Sequence, residues 1–279
     1  MNDEKPNGFN REGWIAFLDI LGFKGIWAKK EPAEIVRDME GIKKEHDRTK
    51  QKIKTGALSD IFPDTKEQFK HLDLTIISDT IVIEYSLEKD DNEENEGMSE
   101  EKLFAALKYI SNEVQSQFLT CLKRKLPLRG AIAFGEYYKK GNIFIGPAVD
   151  DAAEWHNQAD WLGVILTPKA TMRLDSGAST ANEEIMDYLK MQWLKYLIPL
   201  KDEKLRVEKL EFYALNWVNW VNERVGLDKL DRHKKDKNLD LRSLILKNLY
   251  EQGNIDTSTV IKYNNTIRFV DKCLENLEK

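Results

Sequence analysis

Short runs of apolar and β-branched residues alternate with helix-like segments along the first two thirds of the chain. Residues 14–23 are almost continuously apolar and aromatic, which is typical of a central strand buried on both faces, and Gly22 predicts a turn at its end. Residues 72–85 contain two β-branched runs on either side of a Ser-Asp-Thr tripeptide. This pattern predicts a β-hairpin with a tight polar tip at residues 78–80.

Apolar residues spaced three and four apart predict helices between these strands. Residues 31–54 are helix-like, and residues 103–118 carry the apolar positions of a second helix. Residues 128–134 predict a further strand, which is followed by a hairpin through residues 137–144. The resulting order is βαββαβ, so the sequence predicts an α+β fold with a ferredoxin-like core.

Additional strands and helices are expected beyond this core. A helix after Gly146 and a strand over residues 161–167 come first, and further strand candidates lie at residues 194–200 and 211–215. Apolar residues spaced three and four apart from 260 to 277 predict a last helix with one face packed against the protein.

The length of 279 residues allows one large domain or two small ones. We predict one domain over residues 1–226, with its core over residues 12–168. A C-terminal helical extension is expected over residues 227–279.

The amino-acid composition argues against several classes of protein. The 43 Lys and Arg residues nearly balance the 48 Asp and Glu residues, so the chain lacks the basic excess that favours nucleic-acid binding. Two cysteines, Cys121 and Cys273, are too few for a disulfide scaffold or a cysteine-rich zinc site. No signal-like segment begins the chain, and no apolar run approaches the ~20 residues of a membrane span. We therefore expect a cytoplasmic protein that binds neither nucleic acid nor membrane.

Two aspartates, Asp19 and Asp79, lie at the end of an apolar strand or between two such strands. Either one alone is equally well explained as a turn cap that accepts backbone N–H bonds. In a βαββ arrangement the first strand lies beside the hairpin, so both carboxylates are expected at one end of the sheet. Like charges repel there unless a cation neutralises them, and hard oxygen ligands suit Mg²⁺ or Mn²⁺. The pair therefore predicts a divalent-metal site.

Four short motifs follow one another along the chain. They are residues 17–23 (FLDILGF), 77–79 (ISD), 128–136 (LRGAIAFGE) and 146–154 (GPAVDDAAE). In this order they resemble the F-x-D-I-x-G-F, I-G-D, L-R-x-G-I-x-x-G-E and G-x-x-V-N-x-A-A-R motifs of the class III nucleotide cyclases. The 60-residue separation of Asp19 and Asp79 exceeds the usual spacing of that family, and an insertion over residues 56–70 would account for the difference.

The resemblance implies a role for each matched residue. Asp19, Ile20 and Asp79 would bind two Mg²⁺ or Mn²⁺ ions per site, and Asp19, Asp79 and Arg129 would be the catalytic residues. The substrate-binding residues would be Ile20, Leu21, Gly22 and Phe23 through their backbone amides, Thr75, and Arg129. For Arg129 the implied role is triphosphate binding, and the alternative is a surface arginine at a strand edge. A further triphosphate-binding lysine of the family corresponds to Lys204 or Lys209.

Several positions depart from the family pattern. Asp150 and Glu154 stand where the family has its catalytic asparagine and arginine, and a carboxylate does not stabilise negative charge on a phosphoryl group. Thr75 replaces the adenine-recognising lysine, and the position of its acidic partner falls at Ile143, next to Asn142. This combination resembles the bacterial pyrimidine cyclases of Pycsar-type antiphage defence.

The resemblance implies a metal-dependent homodimeric lyase that converts UTP or CTP to the 3′,5′-cyclic monophosphate and pyrophosphate. The cyclic nucleotide would act as a second messenger on a separate effector that the cyclase itself does not bind. The alternative function is a catalytically silent cyclase-like module that binds a nucleotide or a partner protein. Asp150 and Glu154 favour this alternative, whereas the presence of both Asp19 and Asp79 favours the enzyme.

Overall fold

A computed structural model describes residues 11–23, 26, 30–54, 71–87, 99–202, 211–221, 241–250 and 256–277 of the chain. The first elements are β1 (Arg11–Ile20), α1 (Pro32–Lys54), β2 (Leu72–Ile77), β3 (Thr80–Leu87), α2 (Glu100–Lys123) and β4 (Leu128–Lys140). These strands lie in the order β2-β3-β1-β4, and all neighbours are antiparallel. The predicted ferredoxin-like βαββαβ core and α+β fold class are therefore confirmed.

Later elements extend this sheet on the β4 side. They are β5 (Ile143–Ile145), α3 (Pro147–Gln158), β6 (Val164–Leu166), α4 (Pro168–Gly177), α5 (Glu183–Gln192), β7 (Trp193–Leu197), β8 (Glu211–Leu215), α6 (Trp217–Trp220), α7 (Leu241–Tyr250) and α8 (Thr257–Leu277). Strand β6 runs parallel to β4, and β8 and β7 follow it in antiparallel order. The predicted later strands are thus present, although β4 continues six residues beyond its predicted end at residue 134.

The two faces of the sheet pack against different helices because side chains alternate along each strand. Trp14, Ala16 and Leu18 of β1 are fully buried in the main core, which also contains residues of α1 and α2. Ile15 of β1 packs instead with residues of α3 in a smaller apolar cluster. Asp19 follows the same alternation as Ile15, so it lies on the face covered by α3, which we call the α3 face.

The C-terminal helices pack against the main core. Phe269 of α8 is fully buried and meets the Trp161 ring edge-on at 4.7 Å between ring centroids. The apolar face predicted for the last helix is therefore confirmed for its central part, where Tyr263, Ile267 and Val270 are buried. The predicted domain boundary between residues 226 and 227 and the insertion predicted over residues 56–70 both lie outside the described residues.

No helix among the described residues is long and apolar enough to cross a membrane.

Candidate active site

The end of β1 lies between the β2–β3 turn and the start of β4. The Ile20 N–H donates to the backbone carbonyl of Asp79 at 3.0 Å, and the Leu21 N–H donates to the Pro127 carbonyl at 2.8 Å. Asp19 pairs with Thr80 of β3, the residue next to Asp79. The two aspartates, 60 residues apart in sequence, therefore occupy neighbouring positions at one end of the sheet, as the sequence predicted.

Local backbone geometry explains how these two turns form. Gly22 has a φ of +76° directly after β1, a conformation that favours glycine, so the predicted turn at this position is confirmed. The β2–β3 hairpin closes through a two-residue turn in which Ser78 has a φ of 58°. Asp79 is the second residue of this turn and remains partly exposed.

Arg129 on β4 forms an ion pair with Asp19. Its Nε and Nη2 atoms donate to Asp19 Oδ2 at 3.0 Å and 2.9 Å, and the two residues face each other across the β1–β4 pair. The Arg129 side chain is 8% exposed and that of Asp19 is 17% exposed. The alternative interpretation of Arg129 as a surface residue is therefore wrong.

Helix α3 contributes a residue that the sequence analysis missed. Asn157 accepts a second hydrogen bond from Arg129 Nη2 at 2.6 Å. The available signal was its spacing, because Asn157 lies three and seven residues after Glu154 and Asp150 on one face of a helix. Asp150 and Glu154 themselves are exposed on α3. Neither is hydrogen-bonded to Asp19, Asp79 or Arg129.

His156 lies beside the same ion pair. Its ring is 6.3 Å from the Phe17 ring, and burial lowers the pKa of His156, although the Ala153 carbonyl and the Asp19 charge act in the opposite direction. Burial of the ring therefore favours its neutral form.

Two lysines bring further positive charge to this end of the sheet. Lys201 follows an isolated bridge between Ala159 and Leu200, and Lys262 on α8 places its Nζ 3.8 Å from Asp160 Oδ1. Partial burial lowers the pKa of Lys201, and the positive charges of Arg129 and Lys262 add to this shift. The resemblance implies Lys204 or Lys209 for such a role, and both lie outside the described residues.

The donor set at the end of β1 fits a divalent cation that is shared with a substrate. Among the described residues, no group of three or more His, Cys, Asp and Glu residues could hold a metal by itself. Mg²⁺ is commonly bound by only one or two carboxylates together with substrate phosphates and water. Asp19 and Asp79 supply such carboxylates, and the Ile20 carbonyl is adjacent. Arg129 donates hydrogen bonds to one of the two carboxylate oxygens of Asp19, which leaves the other available.

No protein-family model matches this chain, and no curated protein matches it. Among solved structures, the chain is similar to the crystal structure of the guanylate cyclase domain of RhGC from Catenaria anguillulae in complex with GTP. The two share 9% sequence identity with a TM-score of 0.36, and the match covers 73% of this chain and 94% of that domain. Similarity at this level establishes neither a family nor an activity for this chain.

The other predicted substrate-binding residues surround the same strand end. Leu21 and Phe23 are partly buried and pack against the main core, whereas Gly22 is exposed. Thr75 is partly buried on β2 and pairs with Val82, which belongs to the apolar cluster beneath α3. Thr75 therefore lies on the α3 face with Asp19, whereas Ile143 on β5 is 61% exposed.

A second ionic cluster, also missed in the sequence analysis, lies two residues from Thr75 on β2. Lys139 Nζ contacts Glu84 Oε1 and lies 2.6 Å from Asp73 Oδ2, and Arg11 Nη1 lies 3.3 Å from the same Glu84 oxygen. Burial acts to raise the pKa of Asp73, but the hydrogen bond and charge of Lys139 lower it overall. Glu84 is only 1% exposed, and both cations contact its buried carboxylate.

Proposed function

We propose that this protein is a metal-dependent nucleotidyl cyclase that converts UTP or CTP to its 3′,5′-cyclic monophosphate and pyrophosphate. The product would serve as a second messenger in antiphage defence and act on a separate effector. The catalytic residues would be Asp19, Asp79 and Arg129, and the metal-binding set would be Asp19, Ile20 and Asp79.

The observation that carries this proposal is the meeting of three distant segments at one strand end. Asp19, Asp79 and Arg129 come from the end of β1, the β2–β3 turn and the start of β4, and backbone and side-chain hydrogen bonds connect all three. If this arrangement served only to stabilise the fold, the ion pair of Asp19 and Arg129 would need no second carboxylate beside it. A polyphosphate site bound through a divalent cation requires both carboxylates and a cationic side chain.

The chemistry that such a site supports is an intramolecular phosphoryl transfer. The 3′-oxygen of the ribose forms a bond to the α-phosphorus, the bond from that phosphorus to the bridging oxygen breaks, and pyrophosphate leaves with the electron pair. The hydroxyl proton passes to solvent. Bound Mg²⁺ or Mn²⁺ would lower the pKa of the attacking hydroxyl and neutralise the leaving group. Arg129 would orient the triphosphate, because a guanidinium binds phosphate oxygens through paired N–H donors.

The proposed preference for a pyrimidine base rests on the side chains at positions 75 and 143. Thr75 presents a short hydroxyl where a long cation would be needed to recognise adenine, and its partner position is the apolar Ile143. A hydroxyl can donate a hydrogen bond to a pyrimidine carbonyl, or accept one from the N3–H of uracil. Pockets that pair with a base by hydrogen bonds reject a mismatched one strongly.

We expect turnover of UTP, somewhat less of CTP, and little of ATP or GTP. The measurement is incubation of the purified protein with each of the four triphosphates and Mn²⁺, followed by mass-spectrometric identification of the product. Efficient formation of cyclic AMP without a pyrimidine product would contradict the base assignment. Inactivity on all four triphosphates would contradict the cyclase itself and favour the silent module.

Assembly as a homodimer is part of the proposal. Ile77, next to the β2–β3 turn, and Ile143 and Ile145 on β5 are 45%, 61% and 56% exposed, which leaves apolar side chains available for an interface. A two-fold dimer would cover this surface and give two equivalent sites. We expect light scattering at micromolar concentration to report a dimer of about 65 kDa, twice the chain mass of 32.5 kDa. A monomer with full activity would contradict this prediction.

The silent module is favoured by two specific observations. Arg129 already neutralises Asp19, and the exposed Asp150 and Glu154 carry charge of the wrong sign for contact with phosphate. Such a module would bind a triphosphate without forming pyrophosphate. Measurement of nucleotide binding alongside turnover distinguishes the two functions.

A further inference from the structure

Asn157 lies in the last turn of α3 and contacts Arg129. Its Oδ1 accepts a hydrogen bond from Arg129 Nη2 at 2.6 Å, and Asn157 itself is exposed. The same nitrogen donates to Asp19 Oδ2 at 2.9 Å, so Arg129 connects Asn157 to the first predicted metal ligand. The carbonyl end of a helix carries partial negative charge, which favours a cation at the last turn of α3.

The backbones of Asp19 and Arg129 are both fixed by the sheet. The two residues are direct neighbours in the β1–β4 pair, and the Gly130 N–H donates to the Gly163 carbonyl at 2.9 Å. A Cβ atom at position 130 would lie 2.5 Å from Leu18 Cδ2, so β1 and β4 approach closely here. Asp19 therefore separates from Arg129 by rotation of a side chain and not by movement of either strand.

The hydrogen-bond donors of the Arg129 guanidinium are unequally satisfied. Nε and Nη2 donate to Asp19 and Asn157, whereas within the described chain Nη1 is buried and has no acceptor. A buried donor without an acceptor costs free energy, which opposes this position of the side chain. The hydrogen bond to Asn157 offsets part of that cost and so helps to hold Arg129 against Asp19.

The guanidinium and a divalent cation compete for the Asp19 carboxylate. Arg129 donates twice to Oδ2, and the side chains of Arg129 and Asp19 are 8% and 17% exposed. A cation at the other oxygen, Oδ1, is repelled by the adjacent guanidinium, because charges a few ångströms apart interact more strongly in a partly buried site than in water. Such a cation binds Asp19 more tightly once Arg129 has rotated away.

We propose that Asn157 is a positioning residue that holds Arg129 on Asp19 and thereby limits access of a divalent cation to that carboxylate. This role rests on the proposed function, because it requires Asp19 to bind a divalent cation. A ligand that draws Arg129 away from Asp19 also improves cation binding, and by thermodynamic linkage the cation improves binding of that ligand. The phosphates of the proposed triphosphate are such a ligand, since a guanidinium binds phosphate oxygens.

The test is the affinity of the purified full chain for Mn²⁺ alone, without nucleotide, measured from the electron paramagnetic resonance signal of free Mn²⁺. We expect Asn157→Leu to bind Mn²⁺ about fivefold more tightly, the effect of losing one hydrogen bond that holds Arg129, although the substitution changes no charge. Arg129→Gln is expected to bind Mn²⁺ at least about tenfold more tightly, because the positive charge is removed as well.

Gln158→Leu is the matched control, because it replaces an amide by leucine at the next position of α3. Within the described part of the chain the Gln158 side chain is not hydrogen-bonded to Asp19 or Arg129. Its Mn²⁺ affinity is expected to equal that of the unmodified protein. Asn157 is exposed, so Asn157→Leu is expected to fold with a melting temperature close to that of the unmodified protein.

The pattern of Mn²⁺ affinities separates positioning from a purely structural role of Asn157. Tighter binding in Asn157→Leu and Arg129→Gln, with no change in Gln158→Leu, would support the proposed role. Tighter binding in Arg129→Gln alone would show that the charge of Arg129 acts without Asn157 and would overturn it. A lack of Mn²⁺ binding by every variant and by the unmodified protein would overturn it as well.

Turnover of the four triphosphates, measured separately, distinguishes this role from the proposed function. Tighter Mn²⁺ binding in both variants, without cyclisation of any triphosphate, would remove the cyclase function and retain the role of Asn157. Cyclisation by the unmodified protein, with equal Mn²⁺ affinity in all variants, would do the reverse.

Discussion

Asp79→Asn is expected to reduce cyclase turnover at least about a hundredfold and to leave the stability of the fold unchanged. The substitution removes one of two carboxylates proposed to bind metal, and charge stabilisation by a catalytic metal is worth several kcal/mol. Asp79 is partly exposed in the β2–β3 turn, and its contact with β1 uses the backbone carbonyl, which asparagine retains. Asparagine also suits turns, so the local conformation is preserved.

Asp19→Asn provides the matched comparison, because the structure separates the two aspartates. Loss of its charge leaves the buried Arg129 guanidinium without a counterion, which is expected to cost about 2–3 kcal/mol of stability in addition to the loss of turnover. The measurements are turnover at saturating Mn²⁺ and thermal denaturation for both variants. Full activity in both variants would refute the metal site. Equal stability of the two variants would contradict the importance of the ion pair.

Lys139→Met is expected to cause the largest loss of stability, about 3–5 kcal/mol, because it removes a counterion from a buried carboxylate. Glu84 is 1% exposed, and within the described part of the chain its Oε2 has no hydrogen-bond partner and Arg11 would be its remaining cationic contact. Methionine preserves most of the volume of the lysine stem, so the effect reports the charge and not a cavity. At about 2–4 °C per kcal/mol for a domain of this size, the melting temperature should fall by about 6–20 °C.

The control for this prediction is Lys190→Met, which removes an exposed lysine paired with Asp187 on the surface of α5. Its melting temperature should not change measurably, because surface pairs contribute little. Adding Glu84→Gln to Lys139→Met should recover part of the lost stability, since it removes the unpaired buried charge. Equal melting temperatures for Lys139→Met and the unmodified protein would show that the cluster does not stabilise the fold.

Hydrophobic periodicity was sufficient to predict most of the fold. Period-two and continuous apolar runs identified β1 to β3, and the three-four spacing identified α2 and α8, because both patterns record which face of an element is buried. The predicted end of β4 was wrong because residues 135–140 continue as a strand that pairs with both β1 and β5. Sequence spacing does not record how far two strands stay paired.

The sequence by itself determined that Asp19 and Asp79 would meet, because a first strand placed beside the hairpin follows from the βαββαβ order alone. Only the tertiary structure decided which side chains surround them. Arg129 contacts Asp19 across 110 positions of sequence, and Asn157 reaches the same arginine from the end of α3. Local periodicity specifies the buried face of each element, whereas polar contacts such as these depend on how whole elements pack against one another.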